Sequence, residues 1–113
     1  MSTEPSAVDG SAPAFAYLFW VSGARRGQHA PLHVAGTTIG RGGDSEIVID
    51  DPSVSDEHAR LRKEDGEWFV YDLASDSGTT VAGSTVFRQA LVDGDCVGFG
   101  DTNVVFRILR TEN

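Results

Sequence analysis

The sequence contains one cysteine and no long hydrophobic run. Cys96 has no partner for an internal disulfide, and one cysteine with three histidines argues against a structural zinc site. The most apolar run, residues 15–21, has the length of a strand and is far short of the ~20 residues that a membrane span needs. The N-terminus lacks the basic and then apolar pattern of a secretory signal. We therefore expect a cytoplasmic protein without a membrane association, in which Cys96 is a buried small hydrophobe on an apolar strand.

Positive charge is also scarce. The sequence contains nine lysines and arginines and 17 aspartates and glutamates, which gives a formal net charge of −8 and an isoelectric point near 4.6. This balance argues against nucleic acid or an anionic membrane as the main partner. An anion could bind only where a local basic pocket receives it.

The sequence shows no apolar spacing of 3.6 residues over three turns, so it predicts no substantial helix. Instead, short β-rich runs alternate with turn signals, such as Asp65-Gly66 between two strands. At 113 residues the chain is one domain, preceded by a tail at residues 1–14 that is rich in Ser, Ala and Pro and that we expect to be disordered. An antiparallel β-sandwich or barrel is predicted. The candidate strands are 15–21, 28–34, 37–39, 46–49, 58–63, 68–73, 79–81, 84–87, 89–92, 96–99 and 103–109.

Three polar clusters lie where predicted strands meet loops, at residues 39–41, 54–58 and 75–79. In the first, Arg41 follows a strand and precedes two glycines, so its guanidinium can extend over a loop. A guanidinium is a planar fork that suits a phosphate or a carboxylate. A single arginine in such a place is far more often a solvated surface residue, so the cluster alone does not establish a site.

The second cluster permits an enzymatic interpretation. Ser55 and His58 have the spacing of a nucleophile and a base. No third group to orient the histidine and no oxyanion hole are evident, so a histidine that supports the neighbouring loop is the favoured interpretation. A hydrolase that uses Ser55 and His58 remains as an alternative. The third cluster, Ser77-Gly78-Thr79, predicts a tight turn with a positive φ angle at Gly78.

Taken together, the order and spacing of these clusters closely resemble the forkhead-associated (FHA) domain family. The resemblance extends from Phe15 to about Leu109, so the domain is expected at residues 15–110. It implies an all-β antiparallel sandwich of about eleven short strands that binds phosphothreonine in partner proteins. It also implies a binding module without catalysis, cofactor or metal. The matching motifs are Gly40-Arg41, Val54-Ser55-x-x-His58-Ala59, Asp72-Leu73-x-Ser75-x-x-Gly78-Thr79-x-Val81-x-Gly83 and Leu91-x-x-Gly94-Asp95-x-Val97-x-Phe99-Gly100.

The resemblance also implies roles for individual residues. Arg41 and Ser55 would hold the phosphate, His58 would brace the loop that contains Ser55, and Gly40 would let that loop pack. The loop at residues 75–78 would contact the peptide backbone. The partner would be a protein or peptide with a phosphothreonine made by a Ser/Thr kinase. The expected phosphopeptide-binding set is Arg41, Ser55, Asp56, Asp76, Ser77, Gly78 and Thr79.

Several binding positions depart from the family pattern. Asp56 stands where the family usually has Arg, Lys or Asn, and Ser77 replaces the asparagine that bonds the peptide backbone. Asp76 and Ala82 are further departures. Two carboxylates are therefore expected near the phosphate. This leaves open a degenerate FHA domain that mediates phosphate-independent protein interaction, with acidic loops that would favour a basic partner.

Overall fold

The structure, a computed structural model, describes residues 14–110, and these form eleven strands and no helix. The strands are β1 (Ala14–Trp20), β2 (His29–Pro31), β3 (Thr37–Gly40), β4 (Ile47–Val48), β5 (Ala59–Glu64), β6 (Glu67–Asp72), β7 (Thr79–Val81), β8 (Ser84–Val86), β9 (Arg88–Leu91), β10 (Cys96–Phe99) and β11 (Thr102–Arg110). A six-stranded sheet has the order β2-β1-β11-β10-β7-β8. A five-stranded sheet has the order β4-β3-β5-β6-β9. The predicted sandwich of about eleven strands is confirmed.

The structure corrects two details of the predicted strands. Strand β2 covers only His29–Pro31 rather than residues 28–34, because the chain turns after Leu32 to reach the other sheet. A hydrogen bond from Gly36 N to His33 O, at 3.0 Å, closes this turn. In addition, β3 and β4 pair in parallel, whereas every other strand pair in the described residues is antiparallel. Of the predicted tail at residues 1–14, only Ala14 lies within the described residues, as the first residue of β1.

The core lies between the two sheets and follows the period-2 alternation of the strands. In β1, Leu18 and Trp20 are fully buried, whereas Phe15 and Phe19 face outward. Across the core, Trp68 of β6 packs on Phe106 of β11 with ring centroids 6.0 Å apart. Each side chain of this size contributes about 1.5–3 kcal/mol when it is buried. The chain thus forms a core without a disulfide.

Cys96 is not part of this core, and the prediction that it would be buried is wrong. It is exposed at the start of β10, whereas its neighbour Val97 is fully buried. The apolar composition of the strand correctly indicated a buried face. Which residues occupy that face depends on the register of β10 with β11, in which Cys96 lies opposite Val105.

Within residues 14–110, no helix is long and apolar enough to cross a membrane. The three polar clusters lie in the β3–β4, β4–β5 and β6–β7 connections, or at the strand ends beside them. Hydrogen bonds between these connections bring them together at one place on the sandwich.

Candidate functional site

The β3–β4 and β4–β5 loops are joined by their backbones next to Gly40. Arg41 N donates to Ser55 O at 2.9 Å, and Gly42 N donates to Asp56 O at 3.2 Å. A Cβ atom at Gly40 would stand only 2.0 Å from Asp56 O. Glycine is required here by this close approach of two backbones rather than by its φ angle. The two loops therefore hold Arg41 beside Ser55.

His58 connects the Ser55 loop to the β6–β7 loop. Its side chain is fully buried, and Nδ1 accepts a hydrogen bond from Ser55 N at 3.0 Å. Nε2 lies 2.9 Å from Gly78 O, and a carbonyl can only accept. The imidazole is therefore neutral, with its proton on Nε2. The ring of Phe99 meets it edge-on, with centroids 5.8 Å apart. The histidine thus fixes the spacing of two loops that are twenty residues apart.

These contacts argue against the hydrolase alternative. Both imidazole nitrogens are occupied by backbone groups, so neither can accept a proton from Ser55. The Ser55 hydroxyl oxygen accepts a hydrogen bond from Asp76 N at 3.0 Å instead. This bond leaves the hydroxyl hydrogen free to donate to a ligand.

Asp72, at the end of β6, organises the β6–β7 loop. Its carboxylate accepts hydrogen bonds from Ser75 Oγ, from Ser75 N at 3.1 Å and from Thr79 Oγ1 at 2.7 Å. Burial raises the pKa of Asp72, but the hydrogen bonds from Ser75 and Thr79 outweigh it, so the pKa lies below its ordinary value of 3.8. Ser75 Oγ also accepts from Gly78 N at 3.0 Å. The loop is thereby held by an ionised carboxylate.

A small open pocket of about 210 Å³ forms where the loops meet. It brings together five of the predicted binding residues, Arg41, Ser55, Asp56, Asp76 and Ser77. Its remaining lining residues are Pro52, Ser53 and Val54. Residues separated by up to 36 positions in the sequence thus face one space.

Gly78 and Thr79, which were also predicted to bind the peptide, do not line this pocket. Gly78 adopts the predicted positive φ angle, 90°, and its carbonyl is bonded to His58. Thr79 is fully buried at the start of β7, with its hydroxyl on Asp72. A buried hydroxyl cannot reach a peptide, so the structure gives Thr79 a supporting position instead of a binding one.

The pocket contains one cation and two carboxylates. The Arg41 side chain is 47% exposed, and its Nε lies 4.0 Å from Oδ1 of Asp56, which is 78% exposed. Asp76 is also exposed. The N–H groups of a guanidinium and the hydrogen of a serine hydroxyl are donors that suit a phosphate group. Each charge-assisted hydrogen bond to the phosphate contributes about 1.5–3 kcal/mol. Because the Asp56 side chain is mostly exposed and pairs only loosely with Arg41, a bound anion can displace it.

Sequence reasoning missed the contribution of Ser53. Its hydroxyl donates to Asp51 Oδ1 at 2.7 Å and accepts from Asp101 N at 2.8 Å. The bonds from Ser53 also lower the pKa of Asp51. A Cβ at Gly100 would stand 2.4 Å from Ser53 O. The β10–β11 turn therefore supports the β4–β5 loop across 48 residues, a contact that no local sequence signal indicates.

No group of three His, Cys, Asp or Glu side chains that could hold a metal ion occurs among residues 14–110. The arrangement offers ligand binding through Arg41 and Ser55, on loops whose positions are set by His58 and Asp72. Nothing in the described contacts activates Ser55 as a nucleophile.

Comparisons with known proteins agree with this architecture. The family model for the FHA domain matches residues 37–100. The glycogen accumulation regulator GarA of Mycobacterium tuberculosis is 39% identical over 101 residues, which are 89% of this chain and 62% of GarA. The chain thus spans about three fifths of the length of this curated relative.

Two solved structures share the fold. An FHA domain structure from an analysis of phosphothreonine-dependent FHA interactions is 30% identical, with a TM-score of 0.76 over 82% of this chain and 95% of that chain. Mycobacterium tuberculosis EmbR, solved with a low affinity phosphopeptide, is 29% identical, with a TM-score of 0.80 over 96% of this chain and 29% of EmbR. The family model, the curated relative and these structures lead to one conclusion: this chain belongs to the FHA domain family.

Proposed function

We propose that this chain is a phosphothreonine-dependent protein–protein interaction module of cytoplasmic signalling, without catalytic activity. The observation that supports it most directly is the pocket in which Arg41 and Ser55 stand side by side. In this proposal the Arg41 guanidinium pairs with the phosphate, and the Ser55 hydroxyl donates to a phosphate oxygen. Residues 15–110 form the FHA domain, and the phosphothreonine belongs to a substrate of a Ser/Thr kinase.

The preorganisation of the pocket supports this proposal. Three hydrogen bonds hold Ser55. Its amide donates to His58 Nδ1, its carbonyl accepts from Arg41 N, and its hydroxyl oxygen accepts from Asp76 N. A ligand therefore meets a hydroxyl whose position is already fixed, which lowers the entropy cost of binding. Asp76 and Ser77, on the facing loop, are placed to contact the peptide chain beside the phosphate.

The two carboxylates of the pocket support a second candidate function, phosphate-independent binding of a basic partner. Asp56 and Asp76 would repel a phosphate and attract a lysine or an arginine. Because Arg41 lies 4.0 Å from Asp56, the two charges partly offset one another in the free protein. The two functions differ in a simple way: only the first one requires the phosphate.

The test is a titration of the domain with phosphothreonine peptides and with the same peptides without phosphate. The proposal expects binding only with the phosphate. It also expects that Arg41→Ala weakens this binding about 10- to 100-fold, since charge-assisted hydrogen bonds of ~1.5–3 kcal/mol are lost. Arg26→Ala is the matched control, because Arg26 is exposed and does not line the pocket. Equal binding of both peptide forms would support the second function, and an unaffected Arg41→Ala variant would contradict the proposed site.

A further inference from the structure

A larger groove of about 600 Å³ lies directly beside the phosphate pocket. Asp56 belongs to the walls of both. Gly42 and Gly43, which have no side chain, line it together with Glu57, Arg60 and Leu73. A peptide that leaves the pocket past Asp56 therefore enters this groove.

Three carboxylates line the groove, and among residues 14–110 only that of Asp56 has a cationic partner. Asp44, Asp56 and Glu57 line it and are all exposed. Among residues 14–110, no lysine, arginine or histidine lies within 4.0 Å of the carboxylates of Asp44 or Glu57.

Of the residues that the structure describes, Arg60 is the one cation that lines the groove, and its guanidinium reaches the β2–β3 connection. It donates to Ala35 O at 3.3 Å and packs against Gly36. The groove is thus lined by three carboxylates and one guanidinium, so the charge of its lining is negative.

Leu73 adds an apolar contact to the same groove. Its side chain is 37% exposed just after β6, while its backbone amide is bonded to His58 O at 2.9 Å. Acidic groups around an exposed aliphatic side chain complement a long side chain with an apolar stem and a cationic end. Lysine and arginine have this character, because their methylene stems pack on apolar surface while the charge stays in water.

We propose that this groove selects phosphothreonine partners that carry lysine or arginine within a few residues of the phosphothreonine. The inference rests on the proposed function, since it concerns the residues that flank the same phosphate. An extended chain advances about 3.3–3.6 Å per residue, and Asp56 lines both spaces, so a residue close to the phosphothreonine can reach the groove. The basic side chain then lies among Asp44, Asp56 and Glu57.

Such a partner also accounts for the unusual charge of the pocket. Of the described residues, Arg41 is the one cation in the pocket, which also presents Asp56 and Asp76 to a phosphate. A basic side chain of the peptide offsets Asp56 and leaves Arg41 free for the phosphate. A strongly acidic domain would otherwise repel the phosphopeptides that it is built to bind.

The experiment compares three phosphopeptides that differ only beside the phosphothreonine, with flanking lysines and arginines, alanines or glutamates. Each is titrated against the wild type and the double variant Asp44→Asn/Glu57→Gln. The matched control is Asp65→Asn/Glu67→Gln, which removes the same charge at the far end of the β5–β6 hairpin. Asp65 and Glu67 line neither the pocket nor the groove.

For the wild type we expect the basic peptide to bind about three- to tenfold more tightly than the alanine peptide, because each exposed charge pair contributes up to about a factor of five. The advantage should decrease at high salt. In the groove variant, Asp44→Asn/Glu57→Gln, the advantage of the basic peptide should fall below about twofold. In the control variant, Asp65→Asn/Glu67→Gln, the advantage should persist.

Equal affinity of the three phosphopeptides, or a basic preference that is unchanged in the groove variant, would overturn the inference. The alanine peptide tests the proposed function separately. If the alanine peptide binds the wild type only when it is phosphorylated, and if the Arg41→Ala variant no longer binds it, the proposed function stands. This outcome does not depend on which flanking residues the groove prefers. Absence of phosphate-dependent binding for every peptide would overturn both proposals.

Discussion

The Ser55 amide donates to Nδ1 of His58 at 3.0 Å, and the same imidazole reaches Gly78 O through Nε2 at 2.9 Å. The pair that resembles a nucleophile and a base in the sequence is thus a brace between two loops. His58 holds the hydroxyl of Ser55 toward the pocket and also holds the β6–β7 loop close to the Ser55 loop. The position of the candidate binding hydroxyl therefore depends on a residue that no ligand would touch.

Replacing this brace should destabilise the domain. His58→Ala removes a fully buried ring and leaves Ser55 N and Gly78 O without partners, so we expect a loss of about 2–4 kcal/mol in the free energy of unfolding. Urea denaturation measures it. His33→Ala, at an exposed histidine, should change the stability by less than about 0.5 kcal/mol. Equal effects of the two substitutions would show that His58 is no brace.

Gly40→Ala tests the contact between the β3–β4 and β4–β5 loops. The added Cβ would stand 2.0 Å from Asp56 O, so the backbones must separate, at a cost of about 1–3 kcal/mol or more. Phosphopeptide affinity should fall as well, because Arg41 moves away from Ser55. Gly43→Ala is the matched control for stability, since a Cβ there meets nothing within 4 Å. Thermal unfolding of both variants and peptide titration of Gly40→Ala test this contact.

The pKa of Asp72 predicts a specific dependence of stability on pH. Burial raises this pKa, but the hydrogen bonds from Ser75 and Thr79 hold it below 3.8. A lowered pKa in the folded state means that the carboxylate stabilises the fold above about pH 4 and that this contribution is lost as the pH falls further. Asp72→Asn should therefore reduce stability by about 1–3 kcal/mol at neutral pH.

The same variant should lose less stability on acidification than the wild type does, as measured by denaturation between neutral pH and acid. Asp44→Asn serves as the control, because Asp44 is exposed and accepts no hydrogen bond among those of the described residues. Parallel pH profiles of the wild type and Asp72→Asn would contradict the assigned role of the carboxylate.

Asp56→Asn should strengthen phosphopeptide binding. The substitution removes a carboxylate that lies 4.0 Å from Arg41 Nε and competes with the phosphate for it. Because both side chains are exposed, the gain should stay within about fivefold and shrink at high salt. Isothermal titration with an alanine-flanked phosphothreonine peptide measures it, with Glu67→Gln as the control for net charge. A weaker affinity in Asp56→Asn would instead indicate that Asp56 contacts the peptide directly.

Cys96 should react with a thiol reagent in the native protein. Its side chain is exposed on β10, so Cys96→Ser is expected to change the free energy of unfolding by less than about 0.5 kcal/mol. Mass spectrometry after alkylation without denaturant, together with urea denaturation of the variant, tests both statements. Modification that occurs only after unfolding would show that the thiol is buried after all.

Much of the fold could be predicted from local patterns. Period-2 alternation and turn residues such as Asp65-Gly66 indicated around ten short strands, because these signals act over a few residues, and the family resemblance implied eleven. The register of the strands could not be predicted, since it depends on pairing between distant segments. The outward direction of Cys96, the parallel pairing of β3 with β4 and the early end of β2 all follow from that pairing.

For the candidate site, residue types and their spacing were enough to predict the chemistry. The order of Gly40-Arg41, Ser55, His58 and Gly78 indicated the family. The same residues supply the guanidinium and the hydroxyl at the pocket and the glycine that the loop contact requires. Which residues face a ligand depends on the packing of the folded chain. Thr79 is turned inward onto Asp72, Ser53 is tied to Asp101, and Asp56 joins the phosphate pocket to an acidic groove. The reason is physical: residue type is a local property, whereas side-chain direction and neighbours depend on how separate strands and loops pack.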